Sequence, residues 1–270
     1  MVLHTHRSTA TPNHRIPAPG QVAFVGAGPG DAELLTLKAL RALQGAEVVI
    51  HDRLVSSDVL EVINPAARLI DVGKQGFGLS TAQTDINSLI VKHAHAGDRV
   101  VRLKGGDCTL FARLDEEIDA LEGADLSWTI VPGITAASAA VASIGQSLTC
   151  RGRNGSVRFL TGHDTNGFAD QDWKAIAHSG EVAAIYMGVK TARLIQGRLL
   201  MHGLDPNTPV TIVENASRPH ERIIATILSR LPVDLATYCS GGPALTLLGL
   251  APRASSKSLS YTESPKQELA

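Results

Sequence analysis

From residue 22 onward the chain repeats one pattern, a short apolar run, then a polar or glycine-rich break, then a stretch with helical spacing. The runs of the first half are Val22 to Val25, Ala46 to Ile50, Leu69 to Val72, Arg99 to Leu103 and Trp128 to Val131. Strands alternating with helical stretches predict a largely parallel sheet. Leu34, Leu37, Leu40 and Leu43 recur at helical intervals and predict one helix face after the first run. Between Thr135 and Ser143 small residues dominate, which suits a closely packed helix. A second set of runs comprises Ser156 to Leu160, Glu181 to Tyr186, Pro209 to Val213, Arg222 to Ile227 and Ala244 to Gly249. Residues 170–177 and 191–201 read as helices between them. The pattern predicts an α/β fold of two α/β domains, 21–133 and 134–252, facing each other across a cleft. Residues 1–20 and 253–270 read as disordered tails.

The polar breaks that end the runs bear on function. The first run leads into Gly26-Ala27-Gly28-Pro29-Gly30-Asp31. That turn looks like a dinucleotide fingerprint, but its last glycine comes one position early and Asp31 would repel a pyrophosphate. A cationic or zwitterionic ligand meets no such penalty; a ligand-free turn capped by Asp31 is the alternative. The later breaks are His51-Asp52-Arg53, Gly73-Lys74, Lys104-Gly105-Gly106-Asp107 and Pro132-Gly133-Ile134-Thr135-Ala136. If the strands are parallel, all five breaks share the carboxyl edge of one sheet, where open α/β folds bind ligands. In the second half, Thr161-Gly162-His163, Met187-Gly188 and Glu214-Asn215-Ala216 repeat the arrangement.

Composition narrows the classes. Lys plus Arg number 25 against 26 acidic residues, so no global field favours nucleic acid or an anionic membrane surface. No apolar run has the length of a membrane-spanning helix, and the first twenty residues lack the apolar core of a secretory signal, although a transit peptide remains an alternative. Three scattered cysteines, Cys108, Cys150 and Cys239, fit a reducing cytoplasm, and the ten dispersed histidines give no metal-site spacing.

Taken in order, Gly26 to Asp31, Asp52-Arg53-Leu54-Val55-Ser56, Val72-Gly73-Lys74, Arg102 to Asp107 and Val131-Pro132-Gly133-Ile134-Thr135 resemble the motifs of the tetrapyrrole methyltransferases. Tyr186-Met187-Gly188 and Val213 to Ala216 extend the likeness, which runs from about Val22 to Leu250 and points most closely to the uroporphyrinogen-III C-methyltransferases. The resemblance implies a homodimer, S-adenosyl-L-methionine as methyl donor folded in the cleft, and two methyl transfers to a reduced tetrapyrrole that give precorrin-2. It implies donor contacts at Pro29, Gly105, Gly106, Asp107, Leu110, Thr135, Ala136, Met187 and Ala216. Asp52 would accept a proton and Lys74 donate one, while Arg113, Glu116 and Arg151 would bind the tetrapyrrole. Such domains are fused to a dehydrogenase/ferrochelatase module in many bacteria; with motifs beginning at Val22, none is expected ahead of them here.

The chemistry suits those residue types. Methyl transfer from a sulfonium to carbon is an in-line displacement that rewards positioning. The alkylated ring is cationic and must then lose a proton, a task for a carboxylate such as Asp52. Asp52 also stands about twenty residues past the glycine turn, where a dehydrogenase would hold a ribose, and Lys74 reads equally as a solvated lysine. A substrate with many carboxylates calls for local positive charge, offered by Arg151, Arg153 and Arg158 and by Arg102, Lys104 and Arg113. An ion pair of Arg113 with Glu116 or Glu117 is the structural alternative. The chain departs from the family pattern at residues 108–115, where Cys108 stands for proline and Ala112, Leu114 and Asp115 for glycines. Leu114 and Asp115 demand ordinary backbone angles where glycine permits others. Leu79 and Cys150 also replace expected histidines. These changes leave open another precorrin as substrate, or a sensor that binds without turnover.

Overall fold

The computed structural model describes residues 17–73, 81–164 and 167–253, which divide into two compact units between Ile134 and Thr135. The first unit runs β1 (Val22–Gly26), α1 (Leu37–Gly45), β2 (Val48–His51), α2 (Ser57–Glu61), β3 (Arg68–Asp71), α3 (Gln83–His95), β4 (Val100–Lys104), α4 (Leu114–Glu122) and β5 (Trp128–Val131). Its sheet has the order β3-β2-β4-β1-β5 with every pairing parallel, as the alternating pattern predicts. All five carboxyl ends therefore lie on one edge.

Side chains alternate across a strand with period 2, so each strand feeds two cores. Ala23, Val25, Val49, Val101 and Leu103 pack with Ala39, Ala42, Leu43 and Val59 of α1 and α2. Val22, Phe24, Val48, Ile50 and Val100 pack with Ile86, Ile90, Ile118 and Leu121 of α3 and α4. The face expected to contain Leu34, Leu37, Leu40 and Leu43 is broken. Ala32–Leu34 form a 3-10 turn, Leu35 and Thr36 are extended, and Thr36 caps α1 by accepting from the Ala39 N–H at 3.1 Å. The restart rotates the helix, leaving Leu37 70% exposed and burying Ala39, Ala42 and Leu43.

The second unit runs α5 (Ala136–Ser143), β6 (Val157–Thr161), β7 (His163–Asp164), β8 (Gly167–Phe168), α6 (Trp173–His178), β9 (Val182–Tyr186), α7 (Ala192–Met201), β10 (Pro209–Glu214), β11 (Arg222–Ile227), α8 (Leu231–Tyr238) and β12 (Ala244–Leu248). Asp172 caps α6 through the Ala175 N–H at 2.9 Å, so this helix starts later than its pattern suggests. The main sheet, β11-β10-β12-β9-β6, is mixed. β6 and β9 are parallel, while β12 runs antiparallel to both β9 and β10. Consequently β6, β9 and β10 point the same way, and their carboxyl ends share an edge with the starts of β11 and β12. Helix α5, made of small residues, covers one face, and α6, α7 and α8 cover the other.

Two ends of the predicted tails are ordered. Pro17 is buried and the Gly20 N–H donates to the Gly97 carbonyl at 3.1 Å, while the Arg253 N–H donates to the Ile144 carbonyl at 3.1 Å. The rest of both predicted tails, together with Lys74 and Leu79, lies outside the described residues.

Candidate functional site

At the carboxyl edge of the first sheet the loops touch backbone to backbone, and glycine is what allows it. A Cβ on Gly26 would lie 2.5 Å from the Gly133 nitrogen and 2.7 Å from the Gly106 carbonyl oxygen. A Cβ on Gly133 would lie 2.3 Å from that same oxygen. The Gly28 and Gly106 backbones exchange hydrogen bonds of 3.0 and 2.8 Å in an isolated antiparallel bridge beyond the parallel β1–β4 pairing. On the neighbouring loop Leu54 abuts Gly105, and the Ser56 hydroxyl donates to the Gly30 carbonyl. The breaks after β1, β2, β4 and β5 are thus welded together, and that after β3 joins them through Gly73, where a Cβ would lie 2.6 Å from the Arg53 nitrogen.

Gly106 differs from its neighbours. Its φ is +69° and a Cβ there would meet nothing within 4 Å, so its backbone faces open space. Beside it, Oδ1 of Asp107 accepts from the Thr109 N–H and hydroxyl, both at 2.9 Å. Leu110 closes the turn by donating its N–H to the Asp107 carbonyl at 3.2 Å. Pro29 is buried, whereas Gly105, Gly106, Asp107 and Leu110 are half-buried. Asp31 caps the 3-10 turn by accepting from the Glu33 N–H at 2.8 Å, the capping role given above as its alternative.

Asp52 follows β2 at this edge, its side chain one-third exposed (33%), with Oδ1 2.6 Å from Nη2 of Arg102. Arg102 is 2% exposed, and its Nη1 donates to the carbonyls of Ile50 and Leu103. Arg102 and Lys104 both reach Glu117 on α4, Lys104 at 2.8 Å. The sequence pattern offers both cations to substrate carboxylates; instead they are buried and committed within the protein. The reason is strand parity: Val100, Arg102 and Lys104 share the face covered by α3 and α4. Burial disfavours the Arg102 charge, but Asp52 and Glu117 outweigh it and raise the guanidinium pKa. Burial, reinforced by Arg102, lowers the Lys104 ammonium below its ordinary value despite Glu117.

Arg113 and Glu116 form the exposed ion pair anticipated as the structural alternative, Nε and Nη2 donating to the two carboxylate oxygens at 2.7 and 2.6 Å. This contact raises the Arg113 pKa and lowers that of Glu116. The lost glycines do not fall where strain arises: Leu114 and Asp115 begin α4, and the left-handed angles belong to Phe111 (φ 53°) and Arg113 (φ 52°). Cys108, in the place of a proline, is fully buried, and burial with Asp107 nearby pushes its thiol up to about 11.

In the second unit the matching edge is built differently. Met187 is exposed and left-handed (φ 52°), and Ala216 is buried. Thr135 and Ala136 begin α5, where the Tyr186 hydroxyl hydrogen-bonds Thr135 Oγ1 and accepts from the Ala137 N–H at 3.2 Å. Glu214 is fully buried and accepts from the N–H groups of Ser240 and Gly242, each at 2.8 Å. Burial opposes its charge, but those amides prevail and lower its pKa. Of the second arginine group, Arg158 pairs with Glu181, and Arg153 binds Asn154 and the Ser147 carbonyl. Arg151 is exposed in a turn. The residues that sequence reasoning missed are Glu117, Tyr186 and Glu214 as organisers; parity along β4 is the signal that could have revealed the first.

Residues 21–232 match the model of the tetrapyrrole (corrin/porphyrin) methylases. The siroheme synthase of Acinetobacter baylyi is 44% identical over 230 residues, 85% of this chain and 50% of that protein. That of Edwardsiella ictaluri is 45% identical over 230 residues, 85% and 49%. The chain therefore spans about half the length of the curated relatives it matches. Among solved structures, the uroporphyrin-III C-methyltransferase of Thermus thermophilus, complexed with S-adenosyl homocysteine, superposes with a TM-score of 0.72 at 37% identity, covering 85% of this chain and 97% of that one. A cobalt precorrin-4 methyltransferase gives 0.76 at 25% identity, covering 85% and 95%. Among the described residues no helix is long and apolar enough to cross a membrane.

Proposed function

Because the chain belongs to the tetrapyrrole methylase family, we propose that it transfers methyl groups from S-adenosyl-L-methionine to C2 and C7 of uroporphyrinogen III, giving precorrin-2 by way of precorrin-1. Its likeness to a uroporphyrin-III C-methyltransferase over nearly that protein's whole length supports the substrate, as does its likeness to the siroheme synthases. The observation that carries the reading is the carboxylate of Asp52, oriented by Arg102 on the same sheet edge as the glycine loops 26–31 and 105–107.

The residues present fit the donor. Gly106 leaves its backbone open to a flat or extended ligand, and Asp107 keeps a carboxylate oxygen, Oδ2, beyond the one used by Thr109. An anionic side chain there suits an ammonium or ribose hydroxyls. Gly105, Leu110 and Pro29 complete this part of the reading, and Thr135, Ala136, Met187 and Ala216 are the donor contacts we propose from the second unit. The donor supplies an electrophilic methyl group on a cationic sulfur. Asp52 then takes the proton that the alkylated ring must lose, which regenerates a neutral macrocycle. Lys74, proposed as the proton donor, lies outside the described residues. Arg151 is proposed to meet a substrate carboxylate, and Arg113 to do so by sharing or leaving Glu116. We further propose a homodimer working in the cytoplasm, feeding sirohaem, cobalamin or haem d1 synthesis.

A second reading, methylation of another precorrin, rests on the altered loop, where Leu114 and Asp115 stand for glycines and add bulk and a negative charge at the start of α4. Incubation with S-adenosyl-L-methionine and uroporphyrinogen III, followed by absorbance and mass, separates the two. A gain of two methyl groups is expected. Binding of S-adenosylhomocysteine without any methylated product from uroporphyrinogen III would reject the substrate.

A further inference from the structure

The least explained feature of the first unit is its buried carboxylate. Glu117 is 1% exposed, and one of its oxygens, Oε1, receives Lys104 Nζ at 2.8 Å, Arg102 Nε at 3.2 Å and Gln83 Nε2 at 3.2 Å. Its other oxygen, Oε2, is buried and accepts no hydrogen bond among the described residues. Two cations and a carboxylate have been removed from water at a cost of several kcal/mol each. Apolar residues of similar size often serve stability as well or better, so stability alone is a poor account of the cluster. Its geometry offers a better one. Every nitrogen of the Arg102 guanidinium is engaged: Nε by Glu117, Nη1 by two strand carbonyls, and Nη2 by Asp52 at 2.6 Å. The fork cannot turn about its own axis without breaking one of these bonds. The chain of contacts begins in the core at α4 and ends on a carboxylate at the sheet edge.

We propose that Glu117 is a positioning residue for methyl transfer: its buried carboxylate fixes the Arg102 guanidinium, which in turn holds Oδ1 of Asp52 in place at the carboxyl edge of the sheet. The proposal rests on the reading of Asp52 as the proton acceptor. Glu117 itself meets neither donor nor tetrapyrrole. Its place in the first turn of α4 sets the carboxylate where the helix dipole favours an anion.

Glu117→Gln keeps the shape and an acceptor oxygen but removes the charge; Glu117→Asp keeps the charge. In the full chain, Glu117→Gln should lower kcat by roughly 10- to 100-fold, the scale of a misplaced reacting group. The KM for uroporphyrinogen III and the affinity for S-adenosylhomocysteine should stay within about twofold. Glu117→Asp should recover part of kcat, and Asp52→Asn/Glu117→Gln should be no slower than Asp52→Asn alone. An independent readout is the side-chain 15N spectrum, with the Arg102 signals identified by their loss in Arg102→Lys. In the parent protein the guanidinium should show restricted rotation and slow exchange, both lost in Glu117→Gln. Unchanged Arg102 signals, or losses that multiply with Asp52→Asn, would overturn the proposal. Should Glu117→Gln not fold, the charge-balanced Glu117→Gln/Lys104→Met is read in the same way. If the parent protein methylates no tetrapyrrole, the reaction reading falls, whereas the Arg102 spectrum still decides whether Glu117 does the positioning.

Discussion

The two units solve one problem with a different balance of means. Each must hold several strand-end loops together at a sheet edge, where backbone N–H and carbonyl groups run out of ladder partners. The first unit removes side chains: with no Cβ on Gly26 or Gly133, their loops and the Gly106 loop come into direct backbone contact. The second keeps one such contact, where a Cβ on Gly162 would lie 2.7 Å from the Gly188 Cα, and adds a side chain: Glu214, buried at the end of β10, gathers the N–H groups that precede β12. Close backbone contact leaves little room to adjust, which suits an edge proposed to present a reacting carboxylate. A carboxylate cap tolerates varied loops, and left-handed Met187, Asn215, Ser217 and His220 lie in the loops after β9 and β10. Charge is divided similarly, since the buried ion cluster of Asp52, Arg102, Lys104 and Glu117 belongs wholly to the first.

If the reacting group sits in the first unit, Asp52→Asn should have the largest effect. Turnover should fall by about 10²- to 10⁴-fold, the usual worth of a general base, with S-adenosylhomocysteine affinity by calorimetry unchanged. Full activity in this variant would move the chemistry elsewhere. Next comes Gly26→Ala, whose methyl would meet backbone atoms of two other loops. Overpacking of this kind costs about 1–3 kcal/mol or more, measurable as a lower denaturant midpoint.

The counterpart in the second unit is Glu214→Ala, which strands the Ser240 and Gly242 amides at about 1–3 kcal/mol. The same carboxylate makes a pH prediction. Its pKa is lowered from an ordinary 4.5, so the unfolded chain binds its proton first and the stability it contributes is present above pH 4.5. That contribution should disappear as pH falls below 4.5 through the folded value, and Glu214→Gln should unfold with a flatter acid limb. An equally steep limb would assign the acid sensitivity to other groups.

Smaller effects test the finer contrast. Tyr186→Phe removes the hydroxyl that ties Thr135 and the Ala137 N–H, a loss of about 1 kcal/mol. It should weaken S-adenosylhomocysteine binding about fivefold while leaving kcat at saturation nearly intact. Smallest is Gly188→Ala, whose methyl would lie 3.2 and 3.3 Å from the side chains of Ile185 and Ile195. Side-chain tips give way where backbone cannot, so the cost should be under about 1 kcal/mol, well below that of Gly26→Ala. Equal costs for the two glycines would show that backbone and side-chain obstacles weigh alike.

Much of this is legible along the chain because strand runs and breaks are local signals. The β-branched runs mark all ten strands of the two main sheets to within a residue or two, and parallel order in the first half follows from the helices between them. The misreadings come from side-chain direction. Leu37 keeps helical spacing with Leu34 and Leu40, yet Thr36 restarts the helix and turns it outward. Arg102 and Lys104 look like free positive charge near a glycine pair, yet both point beneath α4. The β7–β8 hairpin and α8 escape a reading by pattern, their elements being too short or too weakly periodic.

By itself the sequence determined the order of the main-sheet strands, the polar strand ends and the family, because each is written in residues close together along the chain. Only the tertiary structure decided which charges pair, since Asp52, Arg102 and Glu117 are far apart in sequence and meet through parallel strand pairing and the packing of α4. Likewise only folding could show why Gly26 and Gly133 are glycines: the obstacle to a side chain at each is the backbone of another loop.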